Sequence, residues 1–339
     1  MRARWEAPAA RARGLGTHLL SRETMAAVAA APDLTTMVAL LAAAGVAIPE
    51  EGGRTSQAVE LGIRRAAAGE LRRLARWFGD QHAAPSVLFD EEDRRSLRAM
   101  IRGAVAGAPA DARLAGLIPT PGLPERALAE LARQPRVSDV AALLVAWNHP
   151  LGSVLLPVAA GTAPDLLRLE LEVDRWFARR AHAAASHGDS AFRRYVEQTI
   201  DLDNARAALL LAASGTELPA ADFFLPGGRH LSRTVFLDAA AAGSLATAAR
   251  QLAVPLAAEG VGELVLRHAG DIARLDSALL RARVRALRLE AQREPLGAAP
   301  VLAYVLRLRA QVVALRRCLW GMELGLPPAG RAAALEEVA

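Results

Sequence analysis

Apolar residues recur every three or four positions through most of this chain, the period of a helix that buries one face. The longest run is Val301, Val305, Leu308, Val312, Leu315, Leu319 and Met322, whose steps alternate between four and three. It predicts a helix packed along its length against another helix. Pro300 can start that helix, and Gly325 with Pro327 and Pro328 can stop it. The remaining tail, 331–339, is expected to fray. Leu166, Leu169, Val173, Trp176 and Phe177 form a second stripe on a helix over 163–186, started by Pro164 and Asp165. Phe192, Tyr195, Val196, Thr199, Leu202, Ala205 and Leu209 form a third, over 190–213.

Further helices are expected over 56–78, 90–106, 124–133 and 138–147. Ser21, ahead of Glu23 and Thr24, is placed to cap one helix, and Asp33 after Pro32 opens the next. Proline and glycine mark the breaks: a loop at 48–53, a connector at 107–122 and a turn at 225–228.

The helical pattern repeats. Asp93, Ser96, Leu97 and Arg98 align column by column with Asp201, Asn204, Ala205 and Arg206, and again with Gln311, Ala314, Leu315 and Arg316. A second set precedes it. Leu20, Leu34 and Leu41 share their two intervals with Leu123, Val137 and Leu144, and with Leu231, Leu245 and Leu252. Both sets recur about every 110 residues, longer than ordinary solenoid repeats. The reading is an all-α chain of three similar helical domains, 1–108, 109–218 and 219–339. Three such units can close around a pseudo-threefold axis. The central opening of a closed ring suits a partner better than a reaction.

Composition agrees with helices: the chain is 53% hydrophobic, mostly Ala and Leu. Aromatics are only 4%, so Leu, Val and Ala must pack the cores. All 41 basic residues are arginine. That excludes P-loop, Schiff-base and pyridoxal-phosphate lysines. Net charge is +5, and most arginines alternate with acidic residues and alanine, as on a solvated helical face. The positive excess fits contact with acidic protein or phospholipid headgroups. The single cysteine, Cys318, excludes an internal disulfide and a multi-cysteine metal site, and suits a reducing, cytoplasmic compartment. It lies in an apolar stretch as a small hydrophobe. The apolar segment 37–49 lies too far from Met1 to be a leader and follows Glu23 and Asp33. No window reaches the roughly 18–20 apolar residues that a bilayer span needs, so a soluble or peripheral protein is expected.

Candidate chemistry is sparse. His18, His82, His149, His182, His187, His230 and His268 are scattered, without metal-ligand spacing. Glu170, Glu172 and Asp174 form the densest carboxylate group, and Glu170 with Asp174 could mimic an acid/base pair. Glu172 has Arg168 and Arg175 on its own helix face, whereas Asp174 has Ala178 at the corresponding place. No nucleophile or oxyanion donor lies nearby in sequence, so an enzyme lacks a site here. Gly14-Leu15-Gly16 and Pro226-Gly227-Gly228 lack the phosphate-binding patterns and read as turns. Arg281, Arg285 and Arg288 share a helix face that reads as solvated, flanked by Asp276, Glu290 and Glu294.

The segments Arg11-Ala-Arg-Gly-Leu to Leu20, and Ser96-Leu-Arg-Ala-Met-Ile-Arg-Gly103, carry a family resemblance. So do Leu169-Glu-Leu-Glu-Val-Asp-Arg-Trp-Phe177 running on to Tyr195-Val-Glu-Gln-Thr-Ile-Asp-Leu-Asp-Asn204, and Pro226-Gly-Gly-Arg-His-Leu-Ser232. Pro300-Val-Leu-Ala-Tyr304, Leu315-Arg316 and Gly321 complete them. In this order the chain resembles the C-type stalk component of archaeal and bacterial V/A-type rotary ATPases, whose eukaryotic counterpart carries the letter d. The resemblance implies an all-helical funnel of three similar domains with no active site and no cofactor. It implies a place on the cytoplasmic end of the membrane rotor ring, receiving the foot of the central axle and transmitting torque during proton or sodium transport. Arg98, Arg206 and Arg316 are the candidates for interface contacts or interdomain bracing. Arg309, Gln311, Ala314 and Met322 depart from the family pattern, which has glutamates, an asparagine and a lysine there. The second reading is an α-helical scaffold that binds nucleic acid or acidic proteins through arginine faces; the rotor reading expects no nucleic acid.

Overall fold

The computed structural model describes residues 5–49, 55–78, 83–161, 165–186, 188–214 and 219–336. Residues 50–53 of the expected loop, His82, Pro164, His187 and the last three residues of the expected tail lie outside that description. Among the described residues every regular element is helical, as the apolar period and the Ala/Leu composition require.

The first helices are α1 (Glu6–Leu15), α2 (Arg22–Ala30), α3 (Leu34–Ala43), α4 (Ser56–Ala75), α5 (Ala83–Val105) and α6 (Ala110–Leu114). Then come α7 (Glu125–Ala132), α8 (Val137–Ala146), α9 (Gly152–Ala159), α10 (Leu166–Ala185) and α11 (Ser190–Ser214). The last are α12 (Arg233–Ala240), α13 (Leu245–Leu256), α14 (Gly262–His268), α15 (Ile272–Arg293), α16 (Ala299–Glu323) and α17 (Pro328–Glu336). No described helix is long and apolar enough to cross a membrane.

The chain divides into two compact units, Met1–Ala9 with Ala178–Leu306, and Ala10–Phe177 with Arg307–Ala339. In the first, α11 packs on α12 and α13, α13 on α14, and α14 on α15. Leu202, Ala205 and Leu209 of α11 share one core with Phe236, Leu252, Leu256, Leu275 and Leu279. In the second unit, α5 packs on α7 and α8, α8 on α9, and α2 on α3 and α17. A long helix, a helix pair and a short helix thus follow the same packing order in α5–α9 and in α11–α14.

Local signals explain the pairs. Ser21 and Asp33 cap α2 and α3 by accepting N–H groups of Thr24 and Thr36, and Ser232 and Ser244 do the same for α12 and α13. At the ends of α3 and α8, Gly45 and Asn148 turn left-handed, at φ 83° and 58°. The N–H of the residue after each then returns to the carbonyls of Leu41 (2.9 Å) and Leu144 (2.8 Å), which are equivalent in the sequence repeat.

Three expectations change. Helix α5 begins at Ala83 rather than at Asp90. Helix α16 buries more than one seam: Leu302, Tyr304, Leu306 and Cys318 are inside as well. A helix that is apolar on most sides is covered on most sides.

The third correction is the tail, which is helical from Pro328 to Glu336 and docks on α2. Its anchor is Arg331, 4% exposed. The guanidinium donates to the carbonyls of Ala29 (2.9 Å), Leu326 (2.8 Å) and Ala31, groups that helix ends otherwise leave to solvent. Beneath it Cys318 is buried, which pushes its thiol pKa up. Arg331→Ala is expected to cost about 2–3 kcal/mol in urea unfolding, from the carbonyls left without donors. It should also make Cys318 react faster with a thiol reagent; unchanged stability and reactivity would contradict this anchor.

Candidate functional site at the repeated polar motifs

The motif arginines lie on the three long helices α5, α11 and α16. Arg98 donates to Glu170 (2.9 Å) and Asp174 (3.2 Å) on α10. Arg206 donates to Asp203 one turn back (2.9 Å) and to Asp276 on α15 (2.5 Å). Arg316 donates to Glu60 on α4 (3.0 Å). Side-chain exposures are 30%, 31% and 30%, so none is a freely solvated surface arginine. In each case a motif helix is joined to another long helix. The partners α10 and α15 follow next in the chain order of long helices, and α4 returns to its start.

The column that opens the motif behaves in parallel. Asp201 is fully buried and accepts N–H groups from Arg229 (2.9 Å), His230 (2.8 Å) and Leu231 (3.1 Å). Gln311 Oε1 accepts the N–H of Leu20 (2.7 Å). Asp93 accepts the Thr120 hydroxyl (2.5 Å), whose oxygen accepts the N–H of Leu123 (2.9 Å). Leu20, Leu123 and Leu231 are the equivalent leucines of the other sequence repeat. The two repeated patterns therefore meet, each motif residue holding the backbone that leads into a helix pair. Two glycines allow the approach. A Cβ on Gly122 would sit 2.6 Å from Asp93 Oδ2, and one on Gly228 would overlap Asp201 Oδ1. The Pro226–Gly228 turn is thus the cradle of a carboxylate from its own fold.

In the next column Asn204 grips both backbone groups of Leu225, N–H and carbonyl each at 2.8 Å. Ser96 and the departing residue Ala314 are buried at the equivalent places, and alanine has no group to make such a grip. Gln311 keeps an acceptor where the other two motifs have aspartate. Arg309 donates to Glu92 at 3.1 Å on α5. Met322 is partly exposed at the end of its seam.

The carboxylate group that could have mimicked an acid/base pair is engaged in ion pairs. Glu170 takes Arg98 and Arg102, Asp174 takes Arg98, and Glu172 takes Arg175 (2.8 Å). Burial raises the pKa of Glu170, but the hydrogen bonds and charges of Arg102 and Arg98 outweigh it and hold the carboxyl below its ordinary value. His18 faces Glu70 (3.3 Å), and His149 accepts the N–H of Leu151 (3.2 Å). Among the described residues no group of His, Cys, Asp and Glu is placed to hold a metal ion.

One residue that pattern reading misses is Glu60, 4% exposed. Besides Arg316 it accepts Trp320 Nε1–H (2.7 Å) and the N–H of Gly116 (2.5 Å). The available signal is the acid/base pair Glu60 and Arg64, set among Val59, Ile63 and Ala67 on the buried face of α4. Arg64 itself donates to the Leu117 carbonyl (2.6 Å).

Asp93 differs from Asp201 in what it receives, a hydroxyl rather than three amides. Burial pushes its pKa from 3.8 up to about 8, against the lowering effect of the Thr120 hydrogen bond, with Asp90 and Glu92 adding to the rise. Between those values the folded protein holds a proton that the unfolded chain has released. This contribution is complete below pH 4 and is lost as pH rises through 8, at up to about 1.4 kcal/mol per pH unit. Glu259, raised to about 7 by burial and by the charge of Asp201, acts in the same direction. Asp93→Asn is expected to flatten the fall in melting temperature between pH 5 and 9, leaving the Glu259 part. A variant that keeps the full wild-type slope would refute a proton on Asp93.

The family model described as ATP synthase (C/AC39) subunit matches residues 8–330. The chain is 31% identical over 272 residues to the C-type component of the V-type ATP synthase of Thermus thermophilus, covering 80% of this chain and 78% of that protein. It is 27% identical over 244 residues to the C-type component of the A-type ATP synthase of Haloferax volcanii, covering 70% and 68%. The corresponding V-type ATP synthase component of Deinococcus radiodurans is 29% identical over 169 residues, covering 49% and 45%.

Proposed function

Because the chain belongs to the ATP synthase (C/AC39) subunit family, we propose that it is a non-catalytic central-stalk subunit of a V/A-type rotary ATPase. In that role it couples a rotating axle to the ion-carrying ring, for proton or sodium transport. It sits peripherally at the cytoplasmic face of the membrane and reaches the bilayer only through the ring. The observation that carries this reading is the family match across residues 8–330.

The polar motifs support a mechanical role. A coupler must resist slippage between its parts, and close-packed interiors transmit strain because they compress little. Packing alone lets helices slide, whereas directional bonds to fixed backbone groups and across long helices oppose sliding. On this reading 1–108, 109–218 and 219–339 are three repeats around an opening that takes the foot of the axle. Arg98, Arg206 and Arg316 brace each repeat against the next, and Asp93, Asp201 and Gln311 hold the entry to each helix pair. The cyclic order of their partners supports that arrangement.

The test is reconstitution with the axle and ring subunits encoded in the same host. Association with both, and loss of coupling between ATP hydrolysis and ion movement when this protein is omitted, is the expected result. A protein that binds neither axle nor ring refutes the proposal.

A further inference from the structure

The arginine run at 281–288 is not absorbed by the braces, and the structure divides it in two. Arg283 points inward, 9% exposed, donating to Thr199 (2.6 Å) and stacking over the Tyr195 ring at 4.5 Å. Arg281 and Arg285, one turn apart on α15, instead line a cleft of about 500 Å³ with Arg267 and Glu263 of α14. Leu264 and Ala282 add apolar surface to the same cleft.

Two acids that flank the run in sequence do not neutralise this cleft. Asp276 is held by Arg206, and Glu290 by Arg194. Among the described residues neither Arg267 nor Arg285 has an ion-pair partner, and both are exposed. Arg267 and Arg285 beside the single carboxylate of Glu263 leave a positive cleft with an apolar lining.

We infer that this cleft binds an acidic segment of a protein partner. Its carboxylates meet Arg267 and Arg285, where planar guanidiniums can take carboxylates in paired hydrogen bonds. Its small apolar side chains rest on Leu264 and Ala282. Nucleic acid fits less well: the cleft holds a few side chains rather than a backbone track, its lining has no aromatic residue for base stacking, and Glu263 repels a phosphate run. Its arginines are not those of the motif braces, and it does not depend on the rotor assignment.

The test uses the full chain and a fluorescent helical peptide of Glu, Ala and Leu, beside a twin with Gln for every Glu. The acidic peptide should bind saturably and its twin should not. Arg267→Ala with Arg285→Ala should weaken binding on the order of tenfold or more. Arg274→Ala, on the same helix but paired with Asp271, should leave binding unchanged. Melting curves establish that the variants fold, and Arg285→Gln alone carries the test if the double variant does not. Absent binding, equal binding by the cleft variants, or binding of duplex DNA or phosphatidylserine vesicles in place of the peptide would each overturn the inference. None of these results bears on assembly with axle and ring.

Discussion

Asp201→Ala is expected to lower the unfolding free energy by about 3–5 kcal/mol, because three loop N–H groups lose a fully buried carboxylate as their acceptor. The carboxylate is fully buried and gathers Arg229, His230 and Leu231 just before Ser232 caps α12. Loss of this contact should free the turn as well as remove its hydrogen bonds. Gly228→Ala should be damaging for a related reason, since its Cβ would overlap Asp201 Oδ1. Because both changes attack one contact, their costs should not add. In the Asp201→Ala background the carboxyl group that the new methyl overlaps is gone, and most of the Gly228→Ala penalty should vanish. Urea unfolding of the two single variants and the double variant measures this. Additive losses, or a loss under about 1 kcal/mol for Asp201→Ala, would mean that the turn is held by something else.

Much of this architecture is written in short-range pattern. The three-and-four spacing places the long helices, Ser21 and Asp33 mark the starts of a helix pair, and Asn148 marks where α8 stops. The repeated columns go further, for they single out Asp93, Asp201 and Gln311 before any contact is known. What they do not reveal is the partner. Leu20 and Gln311 are far apart in sequence, as are Glu60 and Arg316, and no helical period encodes such pairings. Arg331 was hidden for a different reason. A short segment with little apolar stripe looks like a fraying end, yet one buried guanidinium holding three carbonyls keeps α17 in place. Helix α16 shows the converse: its regular seam suggested one packed face, while Leu302, Tyr304 and Leu306 lie on others. Periodicity finds the most regular face of a helix, and burial also follows from what surrounds it.

Glu60 is the second position where a single change should have a large effect, and its cost should exceed that of its arginine partner. Glu60→Ala strands Trp320 Nε1–H and the Gly116 N–H as well as Arg316, whereas Arg316→Ala leaves Glu60 with two donors. Removing the acid is expected to cost about 3–4 kcal/mol, as breaking a buried ion pair does. Removing the arginine, 30% exposed, is expected to cost about 1–2 kcal/mol, because solvent screens its side of the pair. Glu60→Gln keeps an acceptor for Trp320 or Gly116 and should fall between them. The indole hydrogen bond supplies a second reading, since Trp320 emission should change in both Glu60 variants and little in Arg316→Ala. Gly116 fixes the geometry: its φ of 76° suits glycine, and a methyl there would collide with the Arg316 guanidinium. If Arg316→Ala proved as costly as Glu60→Ala, the arginine rather than the buried acid would be the centre of this contact. The other two arginines would then be expected to dominate their own contacts as well.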